Sequence, residues 1–270
     1  MGLAGWCQNG RQKSKLYGSN SYQNKGWFFA PGITLSPGVS GDRFETLRGS
    51  GDLSNDTIYS GRFDPKSRIG FYAEVGRHHF IENIYLINHI DYGAHFKMLR
   101  GTERFVGKVN TGSSLIETSN NAAFSESFAG AFFNASNIIQ LTDHGWLHNS
   151  IGVNAEYRVI ESRNASGFYG GIPQTFPADL VAQVHYKFGF GIKIDNGLYV
   201  LPAIETPILN LYTFNRGKST LPYFSSEYRP LIISLRVMFL DKTADRKCVG
   251  KDASRNKPKL WGDEMKKYNK

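Results

Sequence analysis

The sequence has little cysteine, little methionine and no long apolar run. Its 270 residues include only two Cys and four Met. Cys7 and Cys248 are too few for a disulfide scaffold and have no metal-ligand neighbours in sequence. No apolar run approaches the roughly 20 residues of a spanning helix, which excludes a helical membrane protein. A Gly-rich phosphate loop, a zinc pattern and a nucleotide fingerprint are also missing, so we expect neither a cofactor nor a metal.

Aromatic residues and glycine are abundant instead. An aromatic content of 14% excludes a disordered chain. The 29 Gly, 19 Phe and 14 Tyr indicate strands and turns. The net charge of +9 suggests an anionic partner. The mean hydropathy of −0.36, taken alone, is typical of a soluble globular protein.

Alternation with a period of two residues is the strongest pattern. In residues 180–193 one face is polar, and the other consists of Leu180, Ala182, Val184, Tyr186, Phe188, Phe190 and Ile192. Successive side chains of a strand point to opposite faces, so this segment predicts a strand with one apolar face. The same pattern occurs in 69–76, 84–98, 147–159 and 231–239, and less clearly in 27–36, 126–140 and 198–206. The sequence therefore predicts eight strands.

Short and long connections alternate along the chain. Short turns lie near 80–83, 142–145 and 195–197, whereas polar connections of 37–67, 99–125, 161–178 and 211–228 are long. Outer-membrane barrels have short turns at one end and longer loops at the other. We therefore predict an all-β fold, an eight-stranded antiparallel up-and-down transmembrane β-barrel with a basic C-terminal tail. The predicted interfacial girdles contain Trp27, Phe28, Tyr85, Trp146, Tyr199 and Tyr212.

The residues after the last long connection carry a family resemblance. Residues 230–239, Pro-Leu-Ile-Ile-Ser-Leu-Arg-Val-Met-Phe, resemble the closing strand of bacterial outer-membrane proteins, with Leu235, Val237 and Phe239 at the positions that the barrel-assembly machinery reads. With the eight-strand layout, residues 27–240 look like the small barrels abundant in Bacteroidota. The resemblance implies contact with the outer-membrane bilayer and lipopolysaccharide, and an even strand count places both termini in the periplasm. Such proteins usually end near the aromatic residue, whereas this chain continues to Lys270.

Two segments of the chain lie outside the predicted barrel, one at each end. Residues 1–26 form an N-terminal segment that contains either the end of an export signal or a plain terminus. Residues 241–270 carry eight Lys and two Arg against four Asp and one Glu, and so hold +5 of the +9. This periplasmic tail either docks a partner protein through Leu260, Trp261 and Met265 or is solvated and disordered. It lacks the stacking platform that a nucleic-acid partner needs.

The two cysteines lie outside the predicted barrel, on the same side of the membrane. One hypothesis is a disulfide between Cys7 and Cys248 in a compartment that allows it. The alternative is that Cys7 is removed with a signal, which leaves Cys248 alone.

The polar faces of the predicted strands carry charged and histidine side chains. Side chains fill the lumen of an eight-stranded barrel, and a buried charge is costly unless it is paired. We therefore predict a lumen ion-pair network of Glu74, His89, Asp91, His95, Lys97, Glu156, Arg158, His185, Lys187, Glu205 and Arg236.

One set of residues suggests catalysis. His148, Ser150 and Glu156 resemble the His–Ser–acid set of lipid hydrolases, but alternation places them on the face assigned to the lumen. The sequence therefore predicts a non-enzymatic barrel whose lumen is plugged by charged side chains, so that its function lies in its loops and tail. The resemblance to the small barrels of Bacteroidota implies, by analogy of fold, an accessory subunit of a secretion or barrel-assembly complex. The alternatives are a lipid A-modifying outer-membrane hydrolase and a soluble lipocalin-like binding barrel with its apolar face inside.

Overall fold

The computed structural model describes residues 22–38, 44–48, 58–81, 86–111, 114–165, 174–212 and 217–242, with only the backbone of 44–48. Within these ranges no helix is long and apolar enough to cross a membrane. The residues 1–21 and 243–270, which include Cys7, Cys248, Leu260, Trp261 and Met265, lie outside the described residues, as does Tyr85.

Eight of the described strands form a closed ring. They are β1 (Tyr22–Leu35), β4 (Gly70–Phe80), β5 (His89–Asn110), β6 (Leu115–Gln140), β7 (Gly145–Ala165), β8 (Leu180–Asp195), β9 (Leu198–Tyr212) and β12 (Leu231–Lys242). Each ring strand pairs antiparallel with its neighbours along the chain, and β1 also pairs with β12. The predicted eight-stranded up-and-down barrel is confirmed.

The polarity of the wall is the reverse of that in a soluble barrel. The outward side chains are apolar, and Phe29, Phe71 and Phe188 are 45–51% exposed. Glu74, Asp91 and Arg236 point inward and are at most 1% exposed. A soluble barrel would turn its apolar face inward, so the lipocalin-like alternative does not fit. An apolar outside and a polar inside are the properties of a transmembrane barrel, and the fold is that of the outer-membrane β-barrels.

The two ends of the barrel differ. At the end that we call the turn end, β4, β6 and β8 connect to the next ring strand through 81–88, 141–144 and 196–197, and β1 and β12 have their outer ends there. The opposite end, the loop end, carries β2 (Phe44–Arg48), β3 (Ile58–Arg68), β10 (Leu221–Tyr223) and β11 (Ser226–Tyr228). β3 lies in line with β4 and precedes it in the chain, with Ile69 between them. It pairs with residues 100–110 of β5, the part of that strand nearer the loop end.

The structure corrects the long loop predicted at 99–125. Both β5 and β6 continue through this segment as a paired hairpin, from Arg100↔Ser125 to Asn110↔Leu115. The outward face of the hairpin carries Arg104 and Lys108, and its inward face carries Glu103 beside Phe105. The contrast between an apolar and a polar face is therefore weak, although the backbone pairing is continuous.

Apolar side chains fill both ends of the lumen. The loop-end cluster contains Tyr59, Phe63, Leu99, Phe105, Val109, Ala122, Phe124, Phe128, Val181, Leu221, Tyr223, Phe224 and Tyr228. The turn-end cluster contains Phe28, Phe80, Phe132, Ile138, Trp146, Tyr199, Leu201, Ala203, Met238 and Leu240. Most charged residues of the lumen lie between these two clusters in the order of the strands, whereas Glu103 and Glu126 lie among the loop-end residues.

Three of the predicted girdle residues belong to the turn-end cluster instead. Phe28, Trp146 and Tyr199 are buried, whereas Trp27 and Tyr212 are exposed as expected. The correction has a local cause at Trp146, which pairs with Gly191 across β7 and β8. A Cβ atom at position 191 would overlap the indole ring, so glycine leaves the space that lets Trp146 turn inward.

Candidate functional site in the lumen

The middle of the lumen is lined by charged side chains from six ring strands. β4 provides Glu74, β5 provides Asp91, His95 and Lys97, β7 provides Glu156, β8 provides His185 and Lys187, β9 provides Glu205 and β12 provides Arg236. Each stands at an inward position of an alternating strand, so the period-two pattern places it there. All are buried, so their charges depend on pairing with one another and on hydrogen bonds from neighbouring polar groups.

Arg236 connects the last ring strand to β4 and β5. Its Nη1 donates to Asp91 Oδ2 at 3.1 Å and its Nη2 donates to Asp91 Oδ1 at 3.3 Å. The same Nη2 donates to Glu74 Oε1. The guanidinium carbon lies 4.1 Å from the ring centre of Phe28, which adds a cation–π contact.

Lys187 extends this group to β9. Its Nζ lies 3.1 Å from Glu74 Oε2 and 2.8 Å from Glu205 Oε2. His185 Nδ1 lies 3.1 Å from Glu205 Oε1. Glu74 is therefore shared between Lys187 and Arg236, and the hydroxyl of Tyr72 also donates to it at 2.8 Å.

Glu156 is the centre of a second group. Lys97 Nζ donates to its Oε1 at 2.7 Å, and His95 Nε2 lies 2.9 Å from the same oxygen. Asn154 Nδ2 also donates to Oε1 and lies 2.8 Å from His185 Nε2, so it links the two groups.

Arg158 lies nearer the loop end than the rest of the predicted network. Its ion-pair partners are Glu126 at 3.5 Å, Glu161 at 3.1 Å and Asp179. None of these three was among the predicted members. Glu126 also accepts a hydrogen bond from Tyr223 of the loop-end cluster at 3.0 Å, so this third group joins the wall to the β10–β11 hairpin.

Three buried histidines lie between the charged groups and the turn-end cluster. The ring centres of His78 and His89 are 5.7 Å apart, and those of His89 and His148 are 5.5 Å apart. His89 Nδ1 lies 3.7 Å from Asp91 Oδ2, and within the part of the chain that the structure describes neither ring nitrogen of His89 or His148 has a hydrogen-bond partner. His78 was missed at the sequence level, although it shares the inward parity of Glu74 on β4.

The candidate catalytic residues do not form a nucleophile–base pair. Ser150 Oγ accepts a hydrogen bond from Ser136 Oγ at 3.0 Å, and His148 bonds to neither hydroxyl. Glu156 is bound by Lys97 and His95. All three candidates are buried in the lumen, away from the lipid-facing surface. A hydroxyl without a base to take its proton is a poor nucleophile.

The closing-strand residues face the opposite way. Leu235 and Phe239 are exposed on the outer face of β12, and Val237 lies between them on the same face. β12 pairs with β1 on one side and β9 on the other.

A small cavity lies among the charged side chains. The cavity lined by Tyr72, His95, Asn154, Lys187 and Glu205 has a volume of about 10 Å³. That volume is near the smallest that holds one water molecule.

Comparison with known proteins adds distant structural likenesses. No protein-family model matches the chain, and no curated protein matches it. The outer membrane protein OprG from Pseudomonas aeruginosa is 8% identical, with 82% of this chain and 95% of that chain covered and a TM-score of 0.38. Ail, the attachment invasion locus protein of Yersinia pestis, solved with the heparin analogue sucrose octasulfate, is 9% identical, with 80% and 99% covered and a TM-score of 0.27. The fold assignment rests on the closed ring and its polarity.

Proposed function

We propose that this protein is a non-enzymatic barrel of the cell outer membrane, of Bacteroidota type, that acts as an accessory subunit of a larger envelope complex, such as a secretion or barrel-assembly machine. The observation that carries the proposal is the filled lumen. An apolar cluster lies at each end, and paired charges with a cavity of about 10 Å³ lie between them. A filled lumen leaves the outer surfaces of the barrel to carry the function.

The absence of a nucleophile–base pair supports a non-enzymatic role over lipid hydrolysis. Ser150 is hydrogen-bonded to Ser136, and Glu156 is hydrogen-bonded to Lys97 and His95. The alternative of a lipid A hydrolase would need such a pair on the lipid-facing side of the wall, whereas His148 and Ser150 are buried in the lumen.

The loop end offers a surface for lipopolysaccharide. On the outward face of β3 and β5, Arg68 lies directly opposite Arg100, and Lys66 is exposed beside them. Exposed Ile69 and Phe71 follow immediately on the lipid-facing wall. Like charges directly opposite each other are unfavourable unless an anion lies between them. Phosphate groups at the membrane surface supply such an anion, which supports lipopolysaccharide as a partner and the loop end as the outer side.

In this proposal both ends of the barrel chain lie in the periplasm with the turn end. The segment 243–270, which follows β12, is then a periplasmic tail of net charge +5, and Leu260, Trp261 and Met265 are its apolar anchors for a partner protein. A basic tail with an aromatic anchor suits an acidic protein surface with an apolar pocket.

The test is purification of the full chain from cross-linked native membranes in mild detergent. We expect other envelope proteins to co-purify, and we expect their loss when residues 243–270 are deleted and when Trp261→Ala is introduced. A control chain with Lys266→Gln and Lys267→Gln keeps the apolar anchors but carries less positive charge. It therefore shows whether the loss of partners follows from the anchors or from the charge of the tail. Heat-modifiable gel mobility checks that each barrel is folded. Purification of the barrel alone, or unchanged partners after the deletion, would overturn the accessory role.

The filled lumen has its own measurement. Reconstituted in planar bilayers, the wild-type chain should give no open-channel steps of the kind that a water-filled porin gives as a control. Regular conductance steps would remove the observation on which the proposal rests.

A further inference from the structure

His89, Asp91 and His148 form a compact set of metal-type donors inside the barrel. One donor atom from each residue lies within 4.8 Å of the other two. All three residues are at most 1% exposed. His89 and Asp91 come from β5 and His148 from β7, so the set forms only when β6 brings the two strands to their positions in the wall.

The two imidazoles are unsatisfied. Among the described residues, neither Nδ1 nor Nε2 of His89 has a hydrogen-bond partner, and the same is true of His148. A neutral imidazole carries one N–H donor and one lone pair, and each is costly to bury without a partner. The neighbours are rings: Phe80 lies 4.9 Å from His89 between ring centres, and His78 lies 5.7 Å away. These contacts leave the imidazole lone pairs available.

We infer that His89, Asp91 and His148 bind one divalent transition-metal ion. Two imidazole nitrogens with one carboxylate oxygen form a donor set that suits zinc and the neighbouring first-row metals. At metal–ligand distances of about 2.1 Å, tetrahedral donors lie about 3.4 Å apart. His89 Nδ1 and Asp91 Oδ2 are already 3.7 Å apart. The donor atoms of the whole set lie within 4.8 Å of one another, so binding of the ion requires the two rings to rotate toward it.

The surroundings of Asp91 are those of an oriented ligand. Asn134 Nδ2 donates to Asp91 Oδ1 at 2.7 Å, and Arg236 donates to both carboxylate oxygens. Such outer contacts fix a ligating carboxylate in place. The charge also allows a cation, because the three carboxylates of Glu74, Asp91 and Glu205 face two lasting positive charges, on Lys187 and Arg236. The remaining titratable groups beside them are histidines: His185 next to Glu205, and His78, His89 and His148 next to Asp91.

The turn-end cluster separates the three donor residues from the turn end of the barrel. Phe80 packs against both His78 and His89, and Trp146 and Tyr199 pack against each other in the same cluster. An ion held there enters while the barrel folds and then exchanges slowly. It also joins β5 to β7 across β6, which makes it a structural metal.

The experiment refolds the full chain from urea into detergent micelles with Zn²⁺, followed by exhaustive EDTA washing and elemental analysis. We expect about one Zn²⁺ per folded wild-type chain, and a loss of at least tenfold in His148→Gln and in His89→Gln. The matched controls are His95→Gln, a buried lumen histidine outside the set, and His79→Gln, a half-buried histidine on the outer face of β4. Both controls should retain the wild-type amount.

Two results would overturn the site. One is wild-type protein free of zinc after washing, and the other is equal zinc in wild type and His148→Gln, which would mean an adventitious ion only. Where a variant fails to fold, the visible absorption spectrum of the wild-type chain refolded with Co²⁺ tests the site instead. A site of this kind gives the visible absorption of low-symmetry cobalt bound by nitrogen and oxygen, and a spectrum of free hydrated cobalt contradicts it.

Discussion

Arg236 of β12 donates two hydrogen bonds to Asp91 of β5, across 145 residues of sequence. In the ring, β1 and β4 lie between these two strands. The contact therefore crosses the lumen and holds together wall segments that share no backbone pairing.

Replacing Arg236 with methionine should weaken the barrel strongly. Glu74 and Asp91 would remain buried with Lys187 as their main cation, and leaving a buried partner uncompensated costs about 3–5 kcal/mol. The midpoint of urea unfolding in micelles, followed by tryptophan fluorescence, measures the change. The control is Arg104→Met on the exposed outer face, which should shift the midpoint little. Adding Asp91→Asn to Arg236→Met should restore part of the loss, and an unchanged midpoint in Arg236→Met would contradict the network.

Gly191→Ala should disturb the turn-end cluster. The added methyl group overlaps the indole of Trp146, and overpacking of a well-filled core costs about 1–3 kcal/mol. In a Trp146→Leu background the same substitution should be close to neutral, since the pair is coupled. Gly145→Ala, where the nearest side-chain atoms are 3.1 Å from the new carbon, is the control. Equal losses in both backgrounds would argue against the contact.

The loop-end cluster should lose stability above pH 10. Burial and the nearby Glu126 raise the pKa of Tyr223 well above its ordinary value of 10.0, and burial raises the pKa of Tyr228 in the same direction. A raised pKa in the folded state gives stability that is complete below pH 10 and is lost as pH rises toward the folded value. Chymotrypsin cleavage of the β10–β11 hairpin, measured from pH 8 to 11, should accelerate above pH 10.

The Tyr223→Phe variant separates this titration from general alkaline damage. It keeps the stack on Phe124, whose ring centre is 3.7 Å away, but removes the hydrogen bond to Glu126. We expect a lower stability of the hairpin at pH 8, by about 1.5–3 kcal/mol for a bond to a charged group, with a weaker further loss above pH 10. An alkaline loss as steep as that of the wild type would mean that Tyr223 is not the titrating group.

Lipopolysaccharide binding should depend on the paired arginines of the outer face. Arg68→Ser with Arg100→Ser removes both charges that face the proposed phosphate, so calorimetric affinity for lipopolysaccharide in micelles should fall at least tenfold. The matched control is Lys108→Ser, which lies further along β5 and pairs with Glu117 at 3.4 Å. Dephosphorylated lipopolysaccharide should bind wild type as weakly as intact lipopolysaccharide binds the double variant. Equal affinity of wild type and double variant would remove this surface from the proposal.

Alternation predicted the fold well where lipid and lumen impose opposite polarity. Phe188 and Lys187 are adjacent in sequence and point to opposite sides of the wall, so the apolar and polar faces of β8 could be told apart from the sequence. Alternation alone does not say which face points inward, and the prediction of a polar lumen rested on the alternation of short and long connections. Beyond the lipid-facing band the two faces of the hairpin differ little in polarity. The sequence therefore predicts a loop where β5 and β6 in fact continue through Arg104 and Glu117. Backbone pairing there follows from the hairpin, not from polarity.

The partners of the lumen residues could not be predicted in the same way. Parity indicates that Glu74 and Arg236 share the lumen, but their contact depends on register and on the closure of β1 with β12. The contact between His89 and His148 could not be predicted for the same reason. The two residues approach each other only through the tilt and stagger of three paired strands. Trp146 was assigned to the outside because its glycine partner was not known from sequence.

The pairing of Tyr22 with Lys242 joins the first and last strands of the ring. Contacts between such distant residues form late and slowly. Until β12 has been synthesised, the growing chain keeps two open sheet edges and an uncovered apolar face, both of which promote aggregation in water. Pairing of β12 with β1 removes both open edges in one step, so the last strand of the chain is the one that completes the protection of the whole wall.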